Sequence, residues 1–340
     1  MTKNSQSALQ KIKNLEVAFG KTPLVEVSFK FAGQFRKIYA KYEAFNFSGS
    51  IKDRIAIHIL KKAYENKEIK EGDLIVEATS GNTGIAFAAL GRALGHKVRI
   101  YMPDWLSSER YAKIELLGAE VIRITKEQGG FIRSIEEARQ MAANNENVYC
   151  PEQFTNIENI NAHALTTAPE IFAQLKSIDL DLHHFVAGVG TGGTVMGMLK
   201  YCTENNKNVS CHPLEPSNSP TLTTGGKKIG KHRIQGISDE FIPDIVDLNK
   251  LDPIISVDDG DAIIMAQKLN KCGLSVGISS GANFIGALKA IKDRSENEVA
   301  TTIFCDSALK YFSTDLCRKE PVKLDFLSTD VEILGYRFIE

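Results

Sequence analysis

The sequence predicts an α/β fold made of two three-layer αβα lobes with mainly parallel sheets. Short apolar runs alternate with longer helical patterns along most of the chain. This alternation is typical of parallel strands joined by helices that cover both faces of a sheet. The chain has 340 residues, which is enough to form two hydrophobic cores. We therefore expect two lobes, each built around its own sheet.

The predicted elements follow one another in a regular order. Each predicted strand is a short apolar run, and each predicted helix carries apolar residues at helical spacing. In chain order they are a strand at 74–78, a helix at 84–94, a strand at 97–102, a helix at 108–117, and strands at 120–124, 185–187 and 300–304. The pattern breaks at residues 318–321, and we expect the last twenty residues to form an appendage.

Composition excludes several classes of function. The net charge is −1, with 41 basic and 42 acidic residues, which gives no electrostatic basis for binding nucleic acid. No apolar run is long enough to span a bilayer, and residues 1–6 lack the apolar stretch of a secretory signal. We expect a cytoplasmic protein without a membrane partner. The six cysteines and seven histidines form no metal-binding motif, so we predict reduced thiols and no metal.

A turn of small and hydroxyl residues places Lys52 at the start of a predicted helix. Ser50 is a plausible N-cap for the apolar helical run at 55–60. The positive end of a helix disfavours an additional ammonium group. Lys52 is therefore a candidate Schiff-base nucleophile. Taken alone, the turn favours an ordinary solvated lysine at the beginning of a helix, and only the motifs further along the chain favour the nucleophile.

The loop Thr79-Ser80-Gly81-Asn82-Thr83-Gly84 directly follows the predicted strand 74–78. Open α/β folds bind ligands at the carboxyl edge of the sheet, where this loop would lie. Its hydroxyls, its side-chain amide and its free backbone N–H groups suit an anion such as a substrate carboxylate. A glycine-and-asparagine turn with a serine cap is the alternative interpretation.

A second loop, Gly188-Val189-Gly190-Thr191-Gly192-Gly193-Thr194, separates a predicted strand from a helix. Its glycines allow the backbone to approach a phosphate, and its two threonines suit a terminal monophosphate. The loop also fits the dinucleotide fingerprint G-x-G-x-x-G, although Glu215 lies late for a ribose-binding carboxylate. An NAD-dependent dehydrogenase is therefore the alternative from a different class of function.

A third loop of small residues, 277–283, could present a neutral hydroxyl to a heteroaromatic nitrogen. The lysine, the two anion-binding loops and this hydroxyl together indicate pyridoxal phosphate as the cofactor. The lysine would meet the aldehyde of the cofactor, and the loop at 190–194 would meet its phosphate.

On these motifs the chain resembles the tryptophan-synthase-like (fold type II) pyridoxal-phosphate enzymes, specifically the cysteine synthase and cystathionine β-synthase branch. The similarity extends from residues 21–25 to 310–314 and includes 77–84 and 234–237. It implies a cofactor in the cleft, a homodimer, and a division of the chain into two lobes. Residues 1–23 and 46–156 would form a smaller, mobile, substrate-binding lobe, and residues 24–45 and 157–340 a larger lobe that binds the phosphate.

The resemblance also implies individual roles. Lys52 would form the Schiff base and move the α-proton, Asn82 would hydrogen-bond the phenolic oxygen of the cofactor, and Ser279 would face its pyridine nitrogen. The phosphate would be held by Gly190, Thr191, Gly192, Gly193 and Thr194. The substrate carboxylate would be bound by Thr79, Ser80, Gly81, Thr83 and Gln153, with Gly236 in the same site.

The implied reaction is β-replacement on an O-activated serine or on cysteine, through an aminoacrylate. The leading interpretation is a cysteine synthase that combines O-acetylserine with sulfide. The alternatives within the family are a cysteine lyase that releases hydrogen sulfide and a cystathionine- or diaminopropionate-type β-synthase. A non-catalytic relative kept as a binding partner is a further alternative, although Lys52, Asn82 and Ser279 are all present.

Two segments depart from the cysteine synthase pattern. Asp239 and Glu240 lie where those enzymes usually have small residues after the Gln-Gly-Ile loop, and residues 305–311 lack the usual proline-serine-serine-glycine pattern. A carboxylate here could repel hydrosulfide, or it could act as general base for water, an amine or a thiol. We therefore predict a catalytic role for Asp239. The alternative is that both are solvated loop acids.

Overall fold

The computed structural model describes residues 7–340. Residues 1–6, on which the expectation about a secretory signal rests, lie outside the described part of the chain. The strands are β1 (Leu24–Phe31), β2 (Gln34–Tyr42), β3 (Leu74–Ala78), β4 (Lys97–Pro103), β5 (Glu120–Ile124), β6 (Val148–Tyr149), β7 (His184–Gly188), β8 (Ser210–Pro216), β9 (Ile255–Val257), β10 (Ala300–Phe304) and β11 (Val331–Ile339).

The α-helices lie between these strands and before the first of them. They are α1 (Ala8–Leu15), α2 (Lys52–Glu65), α3 (Asn82–Leu94), α4 (Ser108–Leu116), α5 (Gly130–Ala143), α6 (Glu158–Ala162), α7 (Ala168–Lys176), α8 (Gly193–Glu204), α9 (Asp259–Lys271) and α10 (Ile278–Ile291). A π-helical turn, His163–Thr167, joins α6 to α7.

Two sheets organise the described residues. The larger sheet has the strand order β11-β1-β2-β10-β7-β8-β9, and the smaller sheet has the order β5-β4-β3-β6. All pairs in the smaller sheet are parallel, whereas in the larger sheet β1 is antiparallel to both of its neighbours and the other pairs are parallel. The prediction of mainly parallel sheets is confirmed.

Helices cover both faces of each sheet. Because successive residues of a strand point to opposite faces, neighbouring residues of one strand pack against different helices. In β7, Val186 packs with α9 and α10, while Phe185 and Ala187 pack with α7 and α8. In the smaller sheet, Ile75 packs with α2 and α3, and Val76 packs on the opposite face with α5. These continuous apolar strands give two three-layer αβα arrangements, as the alternating sequence pattern predicted.

The strand predictions at 74–78, 120–124 and 300–304 agree with β3, β5 and β10 residue for residue. Two other expectations, the C-terminal appendage and the N-cap at Ser50, were wrong. The last twenty residues are not an appendage, because β11 pairs with β1 along its whole length at the edge of the larger sheet. Most residues of β11 are exposed or only partly buried, so it lacks the buried apolar pattern that identifies the central strands.

Ser50 does not cap α2 with its side chain. Its hydroxyl has no hydrogen-bond partner among residues 7–340, and the position before the helix is occupied by Ile51. The carboxylate of Asp53 in the first helical turn instead accepts from the backbone N–H groups of Ser48 and Ser50, at 2.9 and 3.2 Å. This acid in the first turn thus binds backbone donors that precede the helix, so the turn is held from the helix side.

None of the helices in the described part of the chain is long and apolar enough to cross a membrane. Within residues 7–340, no group of three or more His, Cys, Asp or Glu side chains has the arrangement of a metal site.

Candidate active site

One pocket lies where β3, β7 and the first turns of α2, α3, α8 and α10 meet. The carboxyl ends of parallel strands and the N-termini of helices converge there, as in other α/β ligand sites. Most of the predicted site residues line it: Lys52, Ser80, Asn82, Thr83, Gln153, Gly190, Thr191, Thr194, Gly236, Asp239 and Ser279. Thr79, Gly81, Gly192 and Gly193 belong to the same loops but lie outside the wall of the pocket.

Lys52 is the first residue of α2, and its half-buried side chain faces the pocket. No protein group within residues 7–340 hydrogen-bonds its amine. Burial lowers the pKa of Lys52, and the negative charges of Cys305, Asp306 and Asp239, when these groups are ionised, oppose the shift. A lysine with a lowered pKa has more of the neutral amine that can attack an aldehyde. The geometry is therefore compatible with the predicted Schiff-base role.

The loop after β3 is held by hydrogen bonds within its own site. The hydroxyl oxygen of Thr79 accepts from the Gly81 N–H at 2.9 Å, and the hydroxyl of Thr83 donates to Gln153 Oε1 at 2.7 Å. Gln153 Nε2 in turn donates to the carbonyl of Ala78 at 2.7 Å. These bonds orient the loop at the start of α3, where Ser80, Asn82 and Thr83 line the pocket and a helix N-terminus favours an anion such as a carboxylate.

The loop between β7 and α8 leaves no room for side chains at its glycines. A Cβ on Gly190 would lie 2.3 Å from the carbonyl oxygen of Gly236, and one on Gly192, whose φ is +83°, would lie 2.1 Å from Val246 Cγ2. Glycines at these positions let the loop pack closely, and it brings the start of α8 beside the hydroxyls of Thr191 and Thr194, which line the pocket. This cradle fits the phosphate of pyridoxal phosphate.

Ser279 lies in the first turn of α10, where its hydroxyl interacts with the thiol of Cys305. Burial raises the pKa of the Cys305 thiol to about 11, so both groups are neutral near pH 7. This end of the pocket thus offers a neutral hydroxyl to a pyridine nitrogen. The donor set as a whole, an amine, a phosphate cradle and a neutral hydroxyl, fits pyridoxal phosphate.

Asp239 lies on the loop that follows Gly236, and its side chain lines the same pocket as Lys52. Burial raises the pKa of Asp239 to about 7, against the opposing effect of Lys52 and with a further increase from Glu240. The backbone at Ser238 has a φ of +53°, and the Ser238 N–H donates to Val189 O at 2.7 Å. This unusual conformation keeps Asp239 half-buried in the pocket, whereas Glu240 is exposed.

Several residues that support the site were missed from the sequence. Asn159 Nδ2 donates to the carbonyl of Gln153 at 2.8 Å and to Thr191 Oγ1 at 2.9 Å, which connects two of the predicted loops. His163 Nε2 lies 3.3 Å from Thr194 Oγ1, and burial lowers the pKa of His163 well below its usual value. Neither residue belongs to a motif, so no sequence signal indicated them.

Arg110 was also missed. It is fully buried and lines the pocket, where it donates to the carbonyl of Ser80 at 3.1 Å and to the hydroxyl of Tyr311 at 3.0 Å. It also hydrogen-bonds the side chain of Gln235. In the sequence it is one charged residue on an amphipathic helix, a position that usually indicates exposure to solvent.

A family model and individual proteins of known sequence are both similar to this chain over most of its length. A family model described as "Pyridoxal-phosphate dependent enzyme" matches residues 15–306. Cysteine synthase B of Campylobacter jejuni is 41% identical over 297 residues, covering 87% of this chain and 96% of that protein. A probable cysteine synthase of Bacillus subtilis is 38% identical over 309 residues, covering 91% of this chain and 98% of that protein.

A solved structure of a hydrogen sulfide-producing enzyme from Fusobacterium nucleatum is similar over nearly the whole chain. It superimposes with a TM-score of 0.93 at 56% sequence identity, covering 97% of this chain and 99% of that chain.

Proposed function

The chain belongs to the family of pyridoxal-phosphate dependent enzymes, and we propose that it removes the β-substituent of cysteine as hydrogen sulfide and replaces it with a neutral nucleophile such as water. Within this family it is a β-replacement or β-elimination enzyme. The observation that carries the finer proposal is Asp239, a carboxyl group with a raised pKa in the pocket of Lys52. The similarity to a hydrogen sulfide-producing enzyme supports it.

Four groups of residues would hold the cofactor. Lys52 would bind its aldehyde, Asn82 its phenolic oxygen, Ser279 its pyridine nitrogen, and the loop at 190–194 its phosphate. Pyridoxal phosphate, when bound, supplies a carbonyl that links to amino groups and a ring that withdraws electrons from the adjacent carbon. A hydroxyl at position 279 imposes no charge on the ring nitrogen, which suits elimination at the β-carbon better than transamination.

The substrate carboxylate would bind the loop after β3 and Gln153. Ser80, Thr83 and Gln153 line the pocket beside Lys52, and the hydrogen bond from Thr83 to Gln153 fixes their relative positions. A carboxylate held there brings the α-carbon of the amino acid near the Lys52 amine. Lys52 Nζ would then take the proton from the α-carbon, which allows the thiol to leave from the β-carbon.

Asp239 would act in the second half of the reaction. With a pKa of about 7, its carboxylate can take a proton from water as the oxygen adds to the β-carbon. The same negative charge disfavours an anionic nucleophile, by on the order of 1–4 kcal/mol at a separation of 4–6 Å. The net reaction is cysteine plus water to serine plus hydrogen sulfide.

Cysteine synthesis from O-acetylserine and sulfide is the second candidate. It is favoured by the names of the two curated relatives, which match more than 85% of this chain. Asp239 favours the first candidate, because its charge opposes the hydrosulfide that this synthesis requires. A cystathionine- or diaminopropionate-type reaction would also use a neutral nucleophile and remains a further alternative.

The Asp239→Asn variant tests this assignment. We expect sulfide release from cysteine by the wild type to rise with pH around a midpoint near 7, because Asp239 must be ionised to act as a base. The variant should lose this rise and about 10²-fold of the rate at pH 8. Cysteine formation from O-acetylserine and sulfide should increase in Asp239→Gly. Rates are measured by sulfide detection and amino-acid analysis.

Glu240→Gln is the matched control, since it removes the exposed neighbouring carboxylate. We expect it to keep the rate within about twofold, because surface substitutions rarely have larger effects. Its midpoint should move to lower pH, since Glu240 contributes to the raised pKa of Asp239. If Asp239→Asn retains the rate and the pH dependence, Asp239 is a solvated loop acid and cysteine synthase becomes the better assignment.

The lobe boundaries, the homodimer and the cytoplasmic location also remain proposals. Phe241, which follows the Asp239 loop, stacks on Phe131 of α5 and contacts Phe154 edge-on, so aromatic packing crosses the proposed boundary near the pocket.

We expect the lobe of residues 46–156 to close when the substrate binds, which excludes water. Solution scattering should give the mass of a dimer and a smaller radius with substrate; a monomer or an unchanged radius would contradict this.

A further inference from the structure

The segment that departs from the cysteine synthase pattern, residues 305–311, contacts the pocket residue Asn82 with two charged side chains. Asn82 Nδ2 donates to Asp306 Oδ2 at 2.8 Å, and the Lys310 ammonium donates to Asn82 Oδ1 at 2.9 Å. Asp306 and Lys310 are both buried, with side-chain exposures of 0% and 4%, and their charged atoms lie 3.8 Å apart. The two ends of one amide thus meet buried groups of opposite charge.

These neighbours allow only one orientation of the Asn82 amide. An ionised carboxylate can only accept a hydrogen bond and an ammonium group can only donate. Rotating the amide by 180° would face its oxygen towards Asp306 and its nitrogen towards Lys310. Each buried charge would then lose a partner, which costs far more than an ordinary hydrogen bond contributes. The two charges therefore determine which atom of Asn82 is the donor.

Asp306 is itself held in place on its other side. The Tyr311 hydroxyl donates to its two oxygens at 3.2 and 3.0 Å, while Arg110 donates to the Tyr311 oxygen at 3.0 Å. Burial raises the pKa of Tyr311, so its proton stays available for Asp306. Lys310 also donates to the carbonyl of Gly49, in the turn before Lys52, at 3.0 Å. Neither charge can move away from Asn82 without breaking these bonds.

We propose that Asp306 and Lys310 are positioning residues that hold the Asn82 amide with one N–H free for the phenolic oxygen of the cofactor. Asn82 lines the pocket, and its Nδ2 carries two hydrogens, one of which is donated in the hydrogen bond to Asp306. The remaining N–H would donate to the phenolic oxygen of the cofactor and would stabilise its ionised form. This inference rests on the cofactor-binding role proposed for Asn82, and it does not depend on which nucleophile the enzyme uses.

A double-mutant cycle tests the inference on the affinity of the apoprotein for pyridoxal phosphate. Lys310→Met should weaken binding about tenfold, the loss of roughly one hydrogen bond to a charged group. In an Asn82→Ala background the same substitution should change affinity by less than about twofold, because there is no amide left to orient. The ratio of visible to near-ultraviolet absorption of the bound cofactor should fall in Lys310→Met and stay unchanged between Asn82→Ala and the double variant.

Lys113→Met is the matched control. Lys113 donates to the carbonyl of Ser48 at 2.7 Å, just as Lys310 donates to that of Gly49, but Lys113 does not hydrogen-bond Asn82. We expect its effect on affinity to be below about twofold and the same in both backgrounds. Asp306→Asn provides a second variant, since it keeps the size of the side chain and removes its charge; melting of the apoprotein identifies a variant that fails to fold.

Equal effects of Lys310→Met and of Asp306→Asn with and without Asn82 would overturn the inference, because they would show a role independent of the amide. Loss of the effects in the Asn82→Ala background would support it. If Asn82→Ala alone leaves the affinity unchanged, the proposed role of Asn82 fails together with the inference. Failure to release sulfide from cysteine would instead overturn the proposed reaction and leave the cycle as evidence.

Discussion

Replacing Lys52 with alanine is expected to reduce turnover by at least about 10³-fold while leaving the fold intact. The proposed role combines attachment of the cofactor with transfer of the α-proton, and loss of the proton transfer alone typically costs 10²–10⁴-fold. The fold should tolerate the change, because no protein group in residues 7–340 hydrogen-bonds the Lys52 amine and burial already disfavours its charge. Steady-state kinetics with cysteine and thermal melting measure the two effects.

Borohydride reduction of the wild type identifies the lysine directly. We expect a single modified peptide, carrying Lys52, and none in the Lys52→Ala variant. Lys113→Ala is a suitable control, since Lys113 is half-buried and near the same turn but lies outside the pocket. Label on a different lysine would show that the assignment of Lys52 is wrong.

Replacing Gly192 with alanine is expected to weaken cofactor retention by about tenfold to a hundredfold. The added Cβ would lie 2.1 Å from Val246 Cγ2, in a residue whose φ is +83°. Relief of this overlap must move the loop that forms the phosphate cradle, at a cost of about 1–3 kcal/mol. The dissociation constant of pyridoxal phosphate from the variant measures the effect.

Two control variants separate backbone strain from steric overlap and cofactor binding from substrate binding. Gly95→Ala introduces the same methyl group at a φ of +99° with no atom within 4 Å, so it measures the backbone strain without the overlap. Ser80→Ala removes a hydroxyl from the other anion-binding loop and should weaken substrate binding about tenfold with the cofactor content unchanged. Equal losses of cofactor from Gly192→Ala and Ser80→Ala would contradict the proposed division between a phosphate loop and a carboxylate loop.

The fold was predictable where buried parallel strands are continuous apolar runs between turns. The strand at 74–78 is such a run, and its boundaries agree with the structure. The antiparallel edge was not predicted, because β11 exposes Leu334, Tyr336 and Phe338 and resembles an irregular segment in the sequence. The N-cap predicted at Ser50 was wrong, because the turn is held instead by Asp53, which accepts from the N–H groups of Ser48 and Ser50 from within the first helical turn.

The candidate site was predictable to the extent that it consists of loops with a local pattern of glycines and hydroxyls. Residues that act across the pocket have no such pattern. Arg110 is adjacent in space to Ser80 and Tyr311 but is separated from them by 30 and 201 positions in the sequence. The departure at residues 305–311 was recognised, yet its contact with Asn82 depends on side chains 224 and 228 positions apart.

The most direct test of the central proposal is a comparison of two reactions of the wild-type enzyme at pH 8. The enzyme with bound pyridoxal phosphate is given cysteine alone, or O-acetylserine together with sulfide, and sulfide and amino acids are quantified. We expect sulfide to be released from cysteine with formation of an equal amount of serine when water is the only added nucleophile. We also expect this reaction to be faster than cysteine synthesis. Rapid cysteine synthesis without sulfide release from cysteine would contradict it.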